Sequence, residues 1–469
     1  MIIVAMKFSS NAQFGIGPRG RRGERGQTIL LVAISIVSLL AMAALAIDVV
    51  SLYVAGTEIQ RSADAAALAG AKAMADSGVT TLQPTDGNLP AAKTLAESMA
   101  TQAIQAILQA TPAVNSVAGG TPVLANGTPT FNWGQGNGNP QITVTLQQTN
   151  LPTFFARIFG SSAPIATATA TAEAYNPANL QSYTPIQTTC VKPWLVANSD
   201  PVSGQNFVNR ANGLVEAPTP PVMGEKFWLS ADCKDTPVNT CTNLISNPPA
   251  AGSVGGDPVV QFVPLSITAP PNTGDVCPSS TASPCGGGNN PAYKSAEECC
   301  SITPYTCGGN LSNPPNWDQT LDPEDGGANS DFALGTECLI HTSSTGLGTQ
   351  DTLDWTTTPF PTGPPRILAG SGPEVGNLVS TSSSIVTIPI LDTQTGVQIS
   401  NTPPYPVTVV GFLQAFVNEV DDLSAQYHHG DVYISVLNVI GCSQTPNGNA
   451  PVVGGNGASP IPVRLVSPQ

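Results

Sequence analysis

The chain has 469 residues, of which only 10% are charged, whereas about 25% is usual for a soluble globular domain. The formal net charge of −15 repels phosphate and argues against a nucleic-acid partner. Low charge combined with 45 glycines, 44 prolines and 10 cysteines argues against an ordinary cytosolic enzyme. The composition therefore indicates an exported or surface protein, long enough for two or three domains.

The first feature along the chain is an uncharged run of 22 residues, 26–47, that reads GQTILLVAISIVSLLAMAALAI. As a helix, residues 28–50 span about 30 Å, the thickness of a bilayer's hydrocarbon core. Four arginines lie shortly before the run: Arg19, Arg21, Arg22 and Arg25. By the positive-inside rule they place the N-terminus in the cytoplasm and the bulk of the chain outside. We predict a basic cytoplasmic tail over 1–27 and a single transmembrane helix over 28–50.

Two alternatives to a permanent anchor are open. Residues 41–43 and 44–46 both have the A-x-A pattern at which a signal peptidase cuts. Against cleavage, the apolar run is longer than a usual signal-peptide core, and helix-forming sequence continues beyond it without a break. The second alternative is a buried core helix, which the length of the run and the flanking arginines disfavour.

The segment that follows, 48–78, consists of good helix formers apart from Gly56 and Gly70. Between Ala63 and Ala75, small residues recur four positions apart, a spacing that lets another helix backbone approach closely. We call the small side chains of 63–75 the small-residue face. Either this face packs on partner helices, or it packs within its own domain.

Four short pieces in and around the apolar run carry a family resemblance. They are 24–27 (ERGQ), 46–49 (AIDV), 52–53 (LY) and 59–69 (IQRSADAAALA). In order and spacing they resemble the N-terminal module of the TadE/TadG-like family of Flp (Tad) pilus-assembly proteins, over about residues 24–72. The resemblance implies a pseudopilin-like component of a tight-adherence pilus system, anchored in the bacterial cytoplasmic (inner) membrane and without catalysis of its own.

The chain departs from that family in two respects. No glycine before the apolar run has a glutamate five positions beyond it, so the cleavage signal of prepilin peptidases is absent. Larger TadG-like proteins often carry a von Willebrand factor A domain with a D-x-S-x-S metal site, and this string does not occur. We therefore expect the family's anchor to be joined to a different external domain.

Residues 51–175 are predicted to form a pilin-like helix with a small α+β domain. A second amphipathic helix is expected over Leu89–Gln109, because Pro90 suits its first turn and apolar residues recur on one side. Strands are expected over 141–146 and 166–175, where the residues alternate. A short apolar helix is expected between these strands, over 151–158.

Residues 176–469 are predicted to form a separate external domain rich in strands and long loops, which assigns the whole chain to the α+β class. Pro, Gly, Asn, Ser and Thr dominate 176–405. Short apolar strands interrupt that region, for example 259–263 and 385–391. Further strands are expected over 407–417, 431–440 and 461–466.

All 10 cysteines lie beyond residue 189, on the predicted outside. An even number of cysteines in an exported domain predicts disulfides, up to five, each worth about 2–4 kcal/mol. Three closely spaced pairs would close small loops, although the sequence leaves the connectivity open: Cys233/Cys241, Cys277/Cys285 and Cys300/Cys307. A zinc site is the rival interpretation, but no C-x₂-C pair occurs and only three histidines are present.

Other candidate sites are weak. His428 and His429 suit either a metal or a solvated turn, and the acidic stretch 322–331 suits calcium but lacks the EF-hand ligand positions. Five tryptophans suit either a sugar-binding surface or, by default, core positions: Trp133, Trp194, Trp228, Trp317 and Trp355. We predict no catalytic residue, no cofactor-binding residue, no metal-binding residue and no cofactor.

These features predict a non-enzymatic, membrane-anchored component of a Tad/Flp-type pilus assembly or tight-adherence system. It is expected to act by helix association and through its external domain. Its expected partners are the membrane, other pilus-assembly or pseudopilin subunits, and a cell surface or glycan. The alternative is an exported adhesin or carbohydrate-binding protein with a TadG-like anchor. An extracellular hydrolase is a third interpretation, although no nucleophile–base pair stands out.

Overall fold

The computed structural model describes the following residues: 24–82, 87–109, 116–118, 120–134, 139–151, 155, 164–174, 186–216, 222–230, 257–266, 275–278, 285, 291–307, 316–317, 331–342, 348–355, 365–379, 381–392, 405–406, 408–420, 431–442, 452–453 and 460–466. The chain forms two compact units. The smaller comprises Met1–Thr57 with Thr149–Ala166, and the larger comprises Glu58–Gln148 with Thr167–Gln469. The domain boundaries expected at residues 27/28, 50/51 and 175/176 stay a prediction.

A long apolar helix is followed by strands and short helices, which confirms the α+β class. The helices of the described residues are α1 (Glu24–Asp76), α2 (Leu89–Gln109), α3 (Pro291–Glu298) and α4 (Asp331–Leu339). The strands are β1 (Val123–Leu124), β2 (Thr130–Asn132), β3 (Gln141–Gln148), β4 (Ala166–Ala174), β5 (Ile186–Thr188), β6 (Trp194–Ala197), β7 (Lys226–Ser230), β8 (Val259–Ser266), β9 (Tyr305–Cys307), β10 (Asn316–Trp317), β11 (Thr352–Asp354), β12 (Arg366–Leu368), β13 (Leu378–Val379), β14 (Ile385–Leu391), β15 (Tyr405–Pro406), β16 (Val409–Val420), β17 (Val432–Gly441), β18 (Val452–Val453) and β19 (Val463–Val466).

Helix α1 runs without interruption from the apolar segment through the alanine-rich segment, because neither contains a proline. After its last residue, Asp76, Gly78 adopts a left-handed backbone with φ 74°, the conformation in which glycine commonly terminates a helix. The amide of Gly78 donates to the carbonyl of Ala75 at 3.1 Å. A single buried 3-10 turn, Val79–Thr81, follows.

A five-stranded sheet in the larger unit has the order β1–β3–β4–β19, and β2 also pairs with β3. Along β3, Ile142, Val144 and Leu146 are fully buried and alternate with partly exposed residues. Helix α2 and strands β3 and β4 confirm the predicted helix and the two predicted strands of this region. The helix expected over 151–158 falls on residues of which only Leu151 and Phe155 are described.

The last strand, β19, pairs antiparallel with β4, from Val463 opposite Ala174 to Val466 opposite Thr171. The Arg464 Nε donates to the Glu173 Oε1 at 2.6 Å across this pair. The strand expected near the end of the chain is therefore confirmed. Its partner comes from the region predicted to form the small α+β domain, nearly 300 residues earlier in the sequence.

Six strands of the larger unit close into a barrel, in the order β6–β8–β7–β17–β16–β14 and back to β6. The β6–β14 and β7–β8 pairs are parallel, and the other four pairs are antiparallel. One buried cluster includes Trp194 and Phe262 from barrel strands and Phe332 from α4, with ring centroids 4.8–6.4 Å apart. The predicted strands near 259, 385, 407 and 431 are confirmed as β8, β14, β16 and β17 of this barrel.

Burial on both faces explains the composition of the central strands. The described residues of β16 and β17 are buried along almost their whole length. A second cluster contains Phe412 and Ile440 of these strands together with Ala75 of α1 and Ala174 of β4. The strands therefore read as nearly continuous apolar runs, rather than as the alternation of a strand with one wet face.

Four disulfides lie within the described residues: Cys190–Cys300, Cys277–Cys299, Cys285–Cys338 and Cys307–Cys442. The expectation that Cys277/Cys285 and Cys300/Cys307 close small loops is wrong, because each of these four cysteines pairs with a more distant one. The bridges span 22 to 135 residues and tie separate elements together. Cys233 and Cys241 lie outside the described residues.

The C-terminal end of α1 is fixed to barrel strand β17 by the fully buried side chain of Asn438. Its Nδ2 donates to the carbonyl of Ala75, in the last turn of α1, at 2.5 Å. The Thr81 hydroxyl donates to the Asn438 Oδ1, and the Val439 amide donates to the same oxygen at 3.0 Å. One amide side chain thus satisfies a carbonyl that the helix end leaves open and a hydroxyl from the following turn.

We expect Asn438→Leu to lower the free energy of unfolding of the larger unit by about 1–3 kcal/mol. Leucine has a similar shape but leaves the Ala75 carbonyl and the Thr81 hydroxyl buried without these bonds. The measurement is urea unfolding of the detergent-solubilised full chain, followed by tryptophan fluorescence. The control is Asn377→Leu, at an exposed turn where the Asn377 Nδ2 donates to the Glu374 Oε2 at 3.1 Å. It should change stability by less than about 0.5 kcal/mol. Equal effects of the two substitutions would contradict a special role for Asn438.

Candidate functional site

The N-terminal half of α1 exposes a continuous apolar surface. Apart from Leu52, which is partly buried, its large apolar side chains from Ile29 to Val54 are 45% to 74% exposed. Within the described residues, this helix is the one that is long and apolar enough to cross a membrane. Because water-exposed apolar side chains are unfavourable over so large an area, this surface requires lipid or another apolar partner.

Three serine hydroxyls on this half of the helix are satisfied within the helix itself. The hydroxyls of Ser35, Ser38 and Ser51 donate to the carbonyls four residues earlier, at 2.8–2.9 Å. Such bonds are common for serine in membrane helices, where no water is present to take their place. These three serines are therefore compatible with a hydrocarbon environment.

Asp48 lies at the end of the apolar half and is only 2% exposed. Its Oδ2 accepts a hydrogen bond from the backbone amide of Phe155 at 3.0 Å, inside the smaller unit. A buried carboxylate requires such donors, because burial without them is costly. The aspartate of the AIDV piece therefore binds a backbone segment that lies 107 residues away in the sequence.

The small-residue face of α1 is covered by the protein's own fold. Ala63, Ala66, Ala67 and Ala71 are fully buried. A Cβ atom at Gly70 would lie 2.7 Å from the Cδ1 of Ile142 and 3.1 Å from that of Ile104, which places α2 and β3 directly against this face. The expectation that the face packs on partner helices is therefore wrong, and the alternative, packing within its own domain, is correct.

The other sequence candidates do not converge on one site. The described part of the structure does not include His428, His429 or the side chain of Trp317. Of the acidic stretch 322–331, it includes only Asp331. Asp331 is buried at the start of α4. The four tryptophans whose side chains are described have different surroundings. The Trp133 indole donates a hydrogen bond to Glu97, and Trp194 lies in the buried barrel cluster. Trp228 stacks on Tyr433, and Trp355 packs on a small apolar cluster.

Sequence reasoning missed an open cavity of about 340 Å³ beside two disulfides, which we call the disulfide cavity. Its chemically active lining consists of Cys190, Cys277, Cys300, Lys192, Glu298 and His341. Two of these residues, Cys190 and His341, have left-handed backbones with φ 54° and 58°. Such conformations are costly for residues other than glycine and are enriched at functional sites. The sequence offered one signal for this site, the adjacent pair Cys299–Cys300.

Lys192 is buried beside the disulfide cavity and is 3% exposed. Its Nζ donates to the carbonyls of Glu297 and Cys299, at 2.5 and 2.9 Å, around the C-terminus of α3. Burial lowers the pKa of Lys192 to about 8, although the charges of Glu297 and Glu298 oppose this shift. Burial also raises the pKa of Glu298, whose Oε2 has no hydrogen-bond partner within the described residues.

Cys285, Glu298 and Cys338 bring two sulfurs and a carboxylate within 4.8 Å of one another. Thiolates at this spacing would suit zinc. Cys285 and Cys338 are joined in a disulfide, however, and disulfide sulfurs are not thiolate ligands. In the oxidised protein this group is therefore a structural bridge.

Two neighbouring carboxyl groups, Asp200 and Glu225, are buried near the barrel. Asp200 accepts bonds from the amides of Val202 and Ser203 at 3.0 and 3.1 Å, so its carboxylate holds a turn in place. Burial raises the pKa of Glu225 to about 9, and its hydrogen bond to Asp200 and the charge of Asp200 raise it further. A protonated Glu225 is thus the stable form at neutral pH.

We expect Gly70→Leu to lower the free energy of unfolding by more than about 2 kcal/mol, because Ile104 and Ile142 occupy the space that the side chain needs. Gly56→Leu is the matched control in the same helix, where no atom lies within 4 Å of an added Cβ. It should leave the urea midpoint of the full chain in detergent unchanged. If the Gly70 variant kept its stability but lost a bound partner, the interpretation that the small-residue face packs on partner helices would be supported instead.

Glu225 makes stability depend on pH. The unfolded pKa is near 4.5 and the folded pKa is about 9, so the folded state binds the proton more tightly. Its stabilising contribution is complete below about pH 4.5 and is lost as the pH rises towards 9. Between pH 5 and pH 8 the wild-type chain should lose at least about 1.4 kcal/mol more unfolding free energy than Glu225→Gln, the value of one pKa unit. The measurement is urea unfolding of both proteins at both pH values. An equal change in unfolding free energy between pH 5 and pH 8 in the two proteins would contradict this assignment.

Comparison with known proteins yields one match. The model of a family described as "Putative Flp pilus-assembly TadE/G-like" matches residues 26–73, which are 48 of the 469. No curated protein and no solved structure matches the chain. The matched residues comprise most of the exposed apolar half of α1 and most of the small-residue face. The chain therefore carries, at its N-terminus, a TadE/G-like module of the Flp pilus-assembly type.

Proposed function

We propose that the chain is a non-enzymatic, single-pass component of a Tad/Flp-type pilus assembly or tight-adherence system. Residues 1–27 lie in the cytoplasm, 28–50 cross the bacterial inner membrane, and 51–469 lie outside it. Within the outer part, 51–175 form the pilin-like region and 176–469 the strand-rich region. The observation that carries the proposal is the family match on a helix whose first half is apolar and exposed.

Helix association in this proposal uses the exposed apolar half of α1. The small-residue face is unavailable, because α2 and β3 cover it. In contrast, side chains such as Val37 and Leu39 are 65% and 66% exposed. In a bilayer such side chains contact either lipid tails or the transmembrane helices of other assembly subunits.

The disulfides support a location outside the cytoplasm. Four bridges lie within the described residues, and disulfides persist in oxidising compartments such as the periplasm and cell surface. The arginines before the apolar segment favour a cytoplasmic N-terminus by the positive-inside rule. Both arguments give the same orientation.

The test places a photo-crosslinking amino acid at four successive positions of α1: Ile36, Val37, Ser38 and Leu39. Because each residue advances the helix by about 100°, these four positions sample its whole circumference. In pilus-producing cells we expect at least one position to yield an adduct that mass spectrometry identifies as another pilus-assembly subunit. The buried Ile104 is the control position and should yield none.

Two outcomes would contradict the proposal. One is the absence of any protein adduct at all four positions. The other is a soluble protein that begins after residue 43 or 46, because the apolar run would then be a signal peptide. If cells lacking the chain also built normal pili but lost attachment to surfaces, the alternative of an exported adhesin with a TadG-like anchor would be preferred.

A further inference from the structure

The four described disulfides differ in their access to solvent. Cys307–Cys442 joins residues that are 0% and 1% exposed, and Cys285–Cys338 joins residues that are 8% and 0% exposed. In the third bridge, Cys277–Cys299, Cys299 is 2% exposed, whereas Cys277 is partly exposed and also lines the disulfide cavity. In Cys190–Cys300, by contrast, both cysteines are partly exposed and both line the disulfide cavity.

Access decides which disulfide a dissolved thiol attacks first. The attacking thiolate must reach one sulfur, and the departing sulfur leaves as a thiolate. A cavity of about 340 Å³ has the size of a small-molecule site and opens to solvent beside the Cys190–Cys300 bridge. Cys285–Cys338 and Cys307–Cys442 are buried, so their opening requires larger structural change. Cys277–Cys299 has one partly exposed cysteine beside the cavity, whereas Cys190–Cys300 has two.

The surroundings of Cys190–Cys300 also favour the departure of a thiolate. Lys192 lines the same cavity, and its ammonium lies 2.9 Å from the carbonyl of Cys299, the residue that precedes Cys300. A nearby positive charge stabilises a thiolate relative to a thiol. The left-handed backbone of Cys190 is costly for a residue with a side chain, and release from the bridge would allow it to relax.

We propose that Cys190–Cys300 is a thiol-exchange site, at which a low-molecular-weight thiol enters the disulfide cavity and forms a mixed disulfide with the protein. The thiolate of the small molecule attacks one of the two sulfurs, the Cys190–Cys300 bond breaks, and the other cysteine leaves as a thiolate. A second molecule of the thiol then attacks the mixed disulfide. It releases the small-molecule disulfide and leaves Cys190 and Cys300 reduced, a net transfer of two electrons to the protein.

The neighbouring bridge limits the consequence of this exchange. Cys299 stays joined to Cys277, so the end of α3 remains tied after Cys300 is released. Lys192 continues to hold the carbonyls of Glu297 and Cys299 in the same place. The site can therefore open and close without unfolding the barrel, whose buried bridge Cys307–Cys442 stays intact.

The experiment treats the full chain in detergent with reduced glutathione under native conditions. Samples taken over time are alkylated, digested, and analysed by mass spectrometry for each disulfide and for glutathionylated cysteines. We expect Cys190–Cys300 to open at least about tenfold faster than Cys307–Cys442 in the same molecules, with glutathione found on Cys190 or Cys300. Opening of all four bridges at one rate, or of Cys277–Cys299 or Cys307–Cys442 first, would overturn the proposal.

Two variants separate the chemistry from a general loss of structure. The double variant Cys190→Ser/Cys300→Ser should take up less than a tenth of the glutathione that the wild type takes up. Lys192→Gln keeps two N–H donors for the carbonyls of Glu297 and Cys299 but removes the positive charge. Because that charge is expected to stabilise the departing thiolate, the substitution should slow the opening of Cys190–Cys300 severalfold. An unchanged rate in Lys192→Gln would overturn the role given to the lysine. If Lys192→Gln unfolds, all its bridges should open together. The proposal is then decided by the wild type alone, from the rate at which Cys190–Cys300 opens relative to Cys307–Cys442.

Discussion

The amide side chain of Asn438 joins the C-terminal end of α1 to the six-stranded barrel. It bonds the last turn of α1 and the turn that follows, from β17, a strand that is buried along almost its whole length. A helix end leaves carbonyls without partners, and a buried end is stable only when something supplies them. The last turn of α1 is therefore held to the barrel through one buried polar residue of a largely apolar strand.

The composition of the strand-rich region disfavours a large hydrophobic core. Long stretches rich in proline, glycine and small polar residues bury little apolar surface, so they gain little from the hydrophobic effect. The closed barrel concentrates the available apolar residues in one cluster, and closing the sheet leaves no free edge among its six strands. Disulfides then attach the surrounding segments, each at about 2–4 kcal/mol.

The small-residue face shows how a local pattern can have two structural meanings. Alanine and glycine at four-residue spacing permit close approach of any neighbouring element, and the spacing does not specify which one. In this protein the neighbours are Ile104 of α2 and Ile142 of β3, both from the same chain. The part of the helix that is left for intermolecular contacts is the apolar half, where the side chains are exposed and lie within the family match.

The sequence by itself determined the elements whose signals are local. The long uncharged run, the pattern of Leu89–Gln109 and the apolar strands each depend on neighbours within a few residues, and all appear in the structure. Only the tertiary structure decided which cysteines pair, that β19 joins β4, and that Cys190, Lys192 and Glu298 line one cavity. These arrangements bring together residues separated by up to about 290 positions. Periodicity and spacing carry no information about such pairs, because they are selected by packing and hydrogen bonding in the complete fold.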